Sequence, residues 1–327
     1  MMLLRRRARD LESHLPAAIA GDDTGVHQAR VASRRLREAV PVLAADTKVR
    51  RKAERKIRRV TQALGTVREM DVTVQILDEF ARGPRIPRDA LEDVRGHVIA
   101  ERDRRRATML DRLRRVNTAK LSRRLEEVSM TIPGATLGEW RSTLVKRVGQ
   151  RAKRLRGAIQ SAGQVYAAEQ LHLVRIAVKK LRYALELVAD SRLAPARPMV
   201  NTLKRAQETL GRLHDLQVIE HHVAAVQALP PTRRGADDGG LDVIARMLAD
   251  ECRHIHARYV KQVPALLELT EACVSSVVPA IRRRPPLKML PLQSSRTPAA
   301  TQSRKADSIL VSSSSLSDRR STFKRAS

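Results

Sequence analysis

The chain has 327 residues, a formal net charge of +29 and only 2% aromatic side chains. So large a surplus of cations repels itself unless a polyanion or an anionic surface answers it. The scarcity of aromatics excludes a stacking platform for the successive bases of a single-stranded nucleic acid, and two cysteines, Cys252 and Cys273, without metal-type spacing exclude a disulfide framework.

Helical periodicity dominates, and strand signals are nearly absent, so the fold class reads as all-α. Helices are expected at roughly 3–20, 24–45, 47–80 and 88–129, then at 138–162, 168–190, 196–228 and 239–262, with a weaker one to about 280. Turn chemistry at Gly21-Asp-Asp-Thr24, Gly83-Pro84, Ile132-Pro133-Gly134, Pro230-Pro231 and Gly239-Gly240 separates them. The helix order repeats, giving a first repeat of about 3–130 and a second of about 138–280, which predicts two antiparallel helical bundles related by a pseudo-twofold. Residues 282–327 form a Pro- and Ser-rich basic tail with few large apolar residues, and are expected to be disordered. No apolar run approaches a membrane span, and the charges of Met1-Met-Leu-Leu-Arg-Arg-Arg follow their apolar piece in the wrong order for a secretory signal; no membrane association and a cytoplasmic location are the expectation.

The second predicted helix carries His27, Arg30, Arg34, Arg35 and Arg37; the matching helix of the second repeat carries His172, Arg175, Lys179 and Arg182. At about 100° per residue, Arg30, Arg34 and Arg37 fall with His27 within an arc of about 80°, opposite Ala29, Ala32, Leu36, Val40 and Leu43. The second copy sets its four cations opposite Val174, Ala177, Leu181, Leu185 and Val188. Few carboxylates accompany either stripe, so i,i+4 ion pairing does not account for it. A cationic face kept in both copies predicts one anion-binding surface built from two halves.

A second pair of motifs follows at nearly equal distance: Leu64-Gly65, Arg68, Glu69 and Asp71, then Leu210-Gly211, His214 and Asp215. Ahead of them stand Arg51, Arg55 and Arg58 on one helix face, with Lys204 and Arg205 in the second copy, as further phosphate ligands. The repeated glycine is expected to serve close helix packing. Arg68, Glu69, Asp71 and Asp215 are expected to form supporting ion pairs that hold the arginines of the stripe. No metal or cofactor is called for: in Cys252-x-His254-x-His256 the middle residue points away from the other two, and His221 and His222 diverge on their helix.

These motifs resemble the CHAD family, the conserved-histidine α-helical domain. The family's V-H-x-x-R-V-x-x-R-R-L-R is matched from Val26-His27 to Arg37, and its L-G-x-x-R-D-x-D-V by Leu64-Gly65, Arg68, Asp71 and Val72, with Glu69 in place of Asp. The second-copy H-x-x-R-x-x-x-K-x-L-R-Y-x-x-E runs without a gap from His172 to Glu186, and Leu210-Gly211, Leu213 and Asp215 match the last motif. The resemblance covers roughly residues 3–280. It implies two pseudo-symmetric bundles with a basic groove or pore between them, binding of inorganic polyphosphate, and association with polyphosphate granules. Many relatives carry a triphosphate tunnel domain ahead of this one; its absence here would remove the usual reason to expect hydrolysis.

The expected function is therefore non-catalytic polyphosphate binding. Two alternatives remain open at this level: a nonspecific nucleic-acid-binding protein, with the basic tail adding weak attraction to phosphate backbones, and a metal-dependent phosphohydrolase built around His214-Asp215. The sequence leaves the oligomeric state open.

Overall fold

The computed structural model describes residues 2–44, 47–83, 86–130, 137–230 and 238–283. The expected tail, 282–327, lies outside them but for its first two residues. Among the described residues there is no strand. The elements are α1 (Met2–Ala20), α2 (Asp23–Leu43), α3 (Lys48–Ala63), α4 (Gly65–Phe80), α5 (Arg88–Arg114), α6 (Thr118–Met130), α7 (Leu137–Ala162), α8 (Ala168–Asp190), α9 (Arg197–Gln227), α10 (Asp238–Val260), α11 (Val263–Ala272), a π turn (Cys273–Val277) and α12 (Val278–Arg283).

Two of the expected long helices are broken. The 47–80 segment divides at Leu64, which ends α3 and precedes Gly65 at the start of α4, with ψ near zero (−9°). The 88–129 segment divides at Arg115-Val116-Asn117, where the Asn117 side chain accepts the Lys120 N–H at 2.7 Å and starts α6. In the second half the counterpart of α3 and α4 is a single helix, α9.

The duplication is visible in the packing. α1 packs on α2 as α7 does on α8; α2 packs on α3 as α8 does on α9; α4 packs on α5 as α9 does on α10. Hydrophobic burial does not stop where the first repeat ends. One core gathers α1, α2, α3, α6 and the C-terminal end of α5 through residues such as Leu11, Leu36, Ile57, Leu113 and Leu125. The larger core takes in the whole second half together with Met70 and Leu77 of α4 and Leu91, Val94 and Val98 of α5. The α4–α5 hairpin of the first half is thus built into the core of the second, which joins the halves through apolar area rather than through a linker.

Val263–Arg283 is long and apolar enough to cross a membrane by length and composition alone. Its apolar residues Leu266, Leu269, Cys273, Val277 and Ile281 belong to the larger core, and α11 and α12 pack on α7.

Glycine acts at a place the sequence did not mark. A Cβ on Gly65 or Gly211 would meet nothing within 4 Å, so the repeated Leu-Gly does not serve close packing. Gly25 does: a Cβ there would lie 2.6 Å from the Ala17 Cβ and 2.8 Å from the Ala18 nitrogen. It lets the first turn of α2 press against the end of α1. That turn is capped by Asp22, whose carboxylate accepts the Gly25 N–H.

Candidate anion-binding site

α2 and α8 each have one buried apolar face, with Ala29, Ala32, Leu36 and Val40 on α2 and Val174, Val178, Leu181 and Leu185 on α8. With those faces committed to the cores, the polar faces are left to meet. Ion pairs between the halves fix how they do so. Arg7 of α1, only 4% exposed, donates to Asp190 at the end of α8 at 2.9 Å and to the Arg35 carbonyl of α2 at 3.0 Å. Glu38 of α2 accepts from Arg147 at 3.2 Å and from Arg151 at 2.6 Å, both on α7. Arg151 also donates to the Lys180 carbonyl of α8 at 2.7 Å. The first helix of each half grips the second helix of the other, and the two cationic ridges are held together against their repulsion.

The ridges form one cluster. Arg30 is half-buried and its pKa falls to about 10, first through burial and then through Arg34, with Arg68 and Arg175 adding to the fall and Tyr183 opposing it. Its Nε is buried and has no hydrogen-bond partner. Arg175 is lowered by burial and by Arg34 across the interface, against the field of Asp215. Lys179 is lowered to about 7, by burial first and then by Arg34, Arg175, Arg30 and Arg37. Cations of α2, α4 and α8 therefore act on one another. None of Arg30, Arg34, Arg175 and Lys179 makes an ion pair with a carboxylate among the described residues.

The two histidines stand at the α4 and α9 end of the ridges. Exposed His27 is kept below the usual imidazole range by desolvation, Arg68 and Arg30. His172 is lowered by burial, His214, Arg175 and Lys179, with Glu69 opposing. Its ring lies 5.0 Å from that of His214, centroid to centroid. Beyond them opens a cleft of about 650 Å³ lined by Glu69, His97, Arg105, His172, His214 and His222, among others. His97, Glu101 and Arg105 come from α5, a helix in which the sequence marks no motif.

The other expected residues divide. Arg37 is exposed but acts on Lys179. Arg35 is exposed and acts on Arg7 instead. Arg182 leaves the ridge: it donates to Glu186 and, at 2.8 Å, to the Gln207 side chain, and its guanidinium lies 4.5 Å from the Tyr183 ring centroid. Arg55 and Arg58 of α3, and Lys204 and Arg205 of α9, are exposed, as is Arg51. None of these supplies any of the strongest charges acting on Arg30, Arg175 or Lys179.

The supporting carboxylates behave differently from expectation. Glu69 pairs with Arg105 at 3.1 Å and lies 3.7 Å from His214, so it grips α5 and α9 rather than the stripe; the α4–α5 hairpin places Arg105 opposite it. Its pKa is lowered by hydrogen bonding with His214 and Arg105. Arg68 makes no ion pair among the described residues and joins the cations acting on His27 and Arg30. Asp71 sits among Asp23, Arg68, Arg102 and Arg106, and burial raises its pKa. Asp215 acts on Arg175, as Glu69 does more weakly, and burial raises the Asp215 pKa as well.

A desolvated group of like charges with an unpartnered guanidinium nitrogen is a receptor for an anion rich in oxygen acceptors. The family model of the CHAD domain matches residues 2–224. The chain belongs to the CHAD family. Among solved structures, the CHAD domain from the plant Ricinus communis is similar with a TM-score of 0.55 and 23% identity, over 82% of this chain and 89% of that one. PptA from Streptomyces chartreusis is similar with a TM-score of 0.52 and 14% identity, over 83% and 95%. At these identities the likeness is one of fold. A comparison with curated proteins finds no match. CHAD domains as a family are associated with polyphosphate binding, and the duplicated His27 and His172 segments are this chain's copies of the family motifs.

Proposed function

We propose that this CHAD protein binds inorganic polyphosphate without transforming it, through the central cluster of α2 and α8, and that this binding places it on polyphosphate granules in the cytoplasm. One observation carries the reading: Arg30, Arg34, Arg175 and Lys179, from two copies of one motif, act on one another as unpaired, partly desolvated cations. Polyphosphate has no bases, sugars or apolar surface. Its recognition needs closely spaced donors and no aromatic platform, which agrees with a chain of 2% aromatics. Guanidinium forks suit its oxygens through paired hydrogen bonds, and the buried Arg30 Nε would find its acceptor there.

The test is a titration with long-chain polyphosphate across a salt series. Tight binding that falls steeply with salt is expected, as counterions are released for each phosphate neutralised. The triple variant Arg34→Ala, Arg175→Ala, Lys179→Ala should lose affinity by about 100-fold or more while keeping its helicity. A folded triple variant that binds like the parent would remove the cluster as the site. Release of orthophosphate from polyphosphate in the presence of magnesium or manganese would overturn the non-catalytic part.

A further inference from the structure

We propose that the outer face of the first half, where α3 lies against α6, is a second polyanion surface, and that it takes the phosphate backbones of duplex nucleic acid. α3 presents Lys52, Arg55, Lys56 and Arg59 on its outward side, and α6 presents Lys120 and Arg124. The two helices pack on each other. Lys56, although near the surface, is lowered by desolvation and then by Arg124, Lys120 and Arg59. None of the six forms an ion pair with a carboxylate among the described residues. Some exposed arginines elsewhere do find partners: Arg104 with Glu101 at 2.8 Å, Arg115 with Asp111 at 2.9 Å and Arg156 with Glu271 at 2.7 Å. Glu126 and Glu127 follow Arg124 by one turn of α6, and the turn from Lys120 to Arg124 itself holds no carboxylate.

The duplication does not account for this face. Lys52, Arg55 and Lys56 correspond to Pro198, Asn201 and Thr202 on α9, and the second half's outer helix α11 carries Glu268 and Glu271. The central cluster is kept in both copies, whereas of the α3 cations on this face only Arg59 has a basic counterpart, Arg205.

The form of the face selects the partner. Packed helices lie about 8–10 Å apart, so the cations stand in two rows. α3 has 16 residues, about 24 Å at the usual helical rise. Two rows at that separation can reach the backbones on either side of a duplex groove, about 6–12 Å wide. A duplex offers two backbones, one to each row. Neither α3 nor α6 contains an aromatic residue, so the unstacked bases of a single strand would find nothing to lie on. The contact is to backbone alone and carries no sequence preference.

The experiment uses the full chain, a labelled mixed-sequence DNA duplex of about two helical turns, and polyphosphate in a parallel titration. In the variant Lys56→Gln, Arg59→Gln, Lys120→Gln, Arg124→Gln, duplex affinity should fall by about 10- to 100-fold, with a salt dependence shallower by about 3–4 phosphate contacts. Polyphosphate affinity should stay within about twofold. The exchange Lys56→Arg, Arg59→Lys, Lys120→Arg, Arg124→Lys should restore duplex binding, which separates charge from folding. The proposal is overturned if duplex affinity is unchanged in the Gln variant, if polyphosphate and duplex affinity fall together, or if phosphatidylserine vesicles outcompete the duplex at equal charge. The central triple variant should lose polyphosphate and keep the duplex, so failure of one reading is distinguishable from failure of the other.

Discussion

Arg7 and Arg30 are both arginines withdrawn from water at the junction of the two halves, and they have opposite surroundings. Arg7 has Asp190 at 2.9 Å and a backbone carbonyl at 3.0 Å. Arg30 has a buried Nε with no partner and three other arginines acting on it. A buried charge with its counterion is architecture, and removing one member exposes the desolvation cost of the other. A buried charge without one weakens the empty protein and is relieved only when an anion arrives. On this contrast, Arg7 builds the site and Arg30 belongs to it.

The largest expected effect is on the architectural side. Arg7→Ala should destabilise the fold by about 3 kcal/mol in thermal or denaturant unfolding, the lower end of the range for a broken buried pair, because Arg6 and Arg197 also approach Asp190. Arg30→Met should do the reverse: unchanged or greater stability, and polyphosphate affinity lower by about tenfold for the lost charge-assisted contacts. If Arg30→Met destabilised the protein as much as Arg7→Ala, the contrast would fail.

A pH series sharpens it. Lys179 titrates at about 7 in the folded protein, against 10.5 for an unburied lysine. Below pH 7 both folded and unfolded states hold its proton, and the full cost of a repelled, desolvated charge is present. Between 7 and 10.5 the unfolded state holds the proton and the folded state does not, so this group's contribution to stability rises with pH. Binding runs the other way. Phosphate restores the proton, so polyphosphate affinity should weaken by up to about tenfold per pH unit above 7. Calorimetry in buffers of different ionisation enthalpy should detect proton uptake. Lys179→Arg, which cannot lose its charge, should bind polyphosphate with a flatter pH profile. An unchanged profile in that variant would assign the dependence to other groups, His27 and His172 first.

The smallest effect belongs to Glu69, whose partners Arg105 and His214 leave it partly exposed. Glu69→Gln should cost no more than about 1 kcal/mol at neutral pH. Hydrogen bonding holds its folded pKa below 4.5, so the stabilisation is present above that value and is lost as pH falls through the depressed one. Parent and variant should converge in acid.

The helices and the two ridges were legible because their information is local. Apolar residues at helical spacing give the face of α2, and a repeated His-x-x-Arg pattern gives its cationic side, without knowledge of any neighbour. The cleft was not legible: His97 and Arg105 lie on a helix whose sequence shows no motif, and only the antiparallel return of α5 against α4 brings them to Glu69. The break at Arg115-Val116-Asn117 was missed because no proline or glycine stands there, and the one at Leu64 because the adjoining Gly65 reads as a packing residue within one long helix. Gly25 was passed over, since its close contact is with Ala17 across a turn, whereas the conspicuous Gly65 and Gly211 face open space.

By itself the sequence determined an all-α chain, its duplication and its charge, because each follows from residue type and spacing. Only the tertiary structure decided which cations share a site. Arg182 is bound by Glu186 and Gln207, Arg35 gives its carbonyl to Arg7, and Arg55 and Lys56 lie on a separate outer face, while Arg34 of one copy and Lys179 of the other come within each other's field. The reason is that charge acts through space: residues 145 positions apart in sequence repel one another only once burial of the apolar faces and the Arg7–Asp190 and Glu38–Arg151 bridges have set their helices side by side.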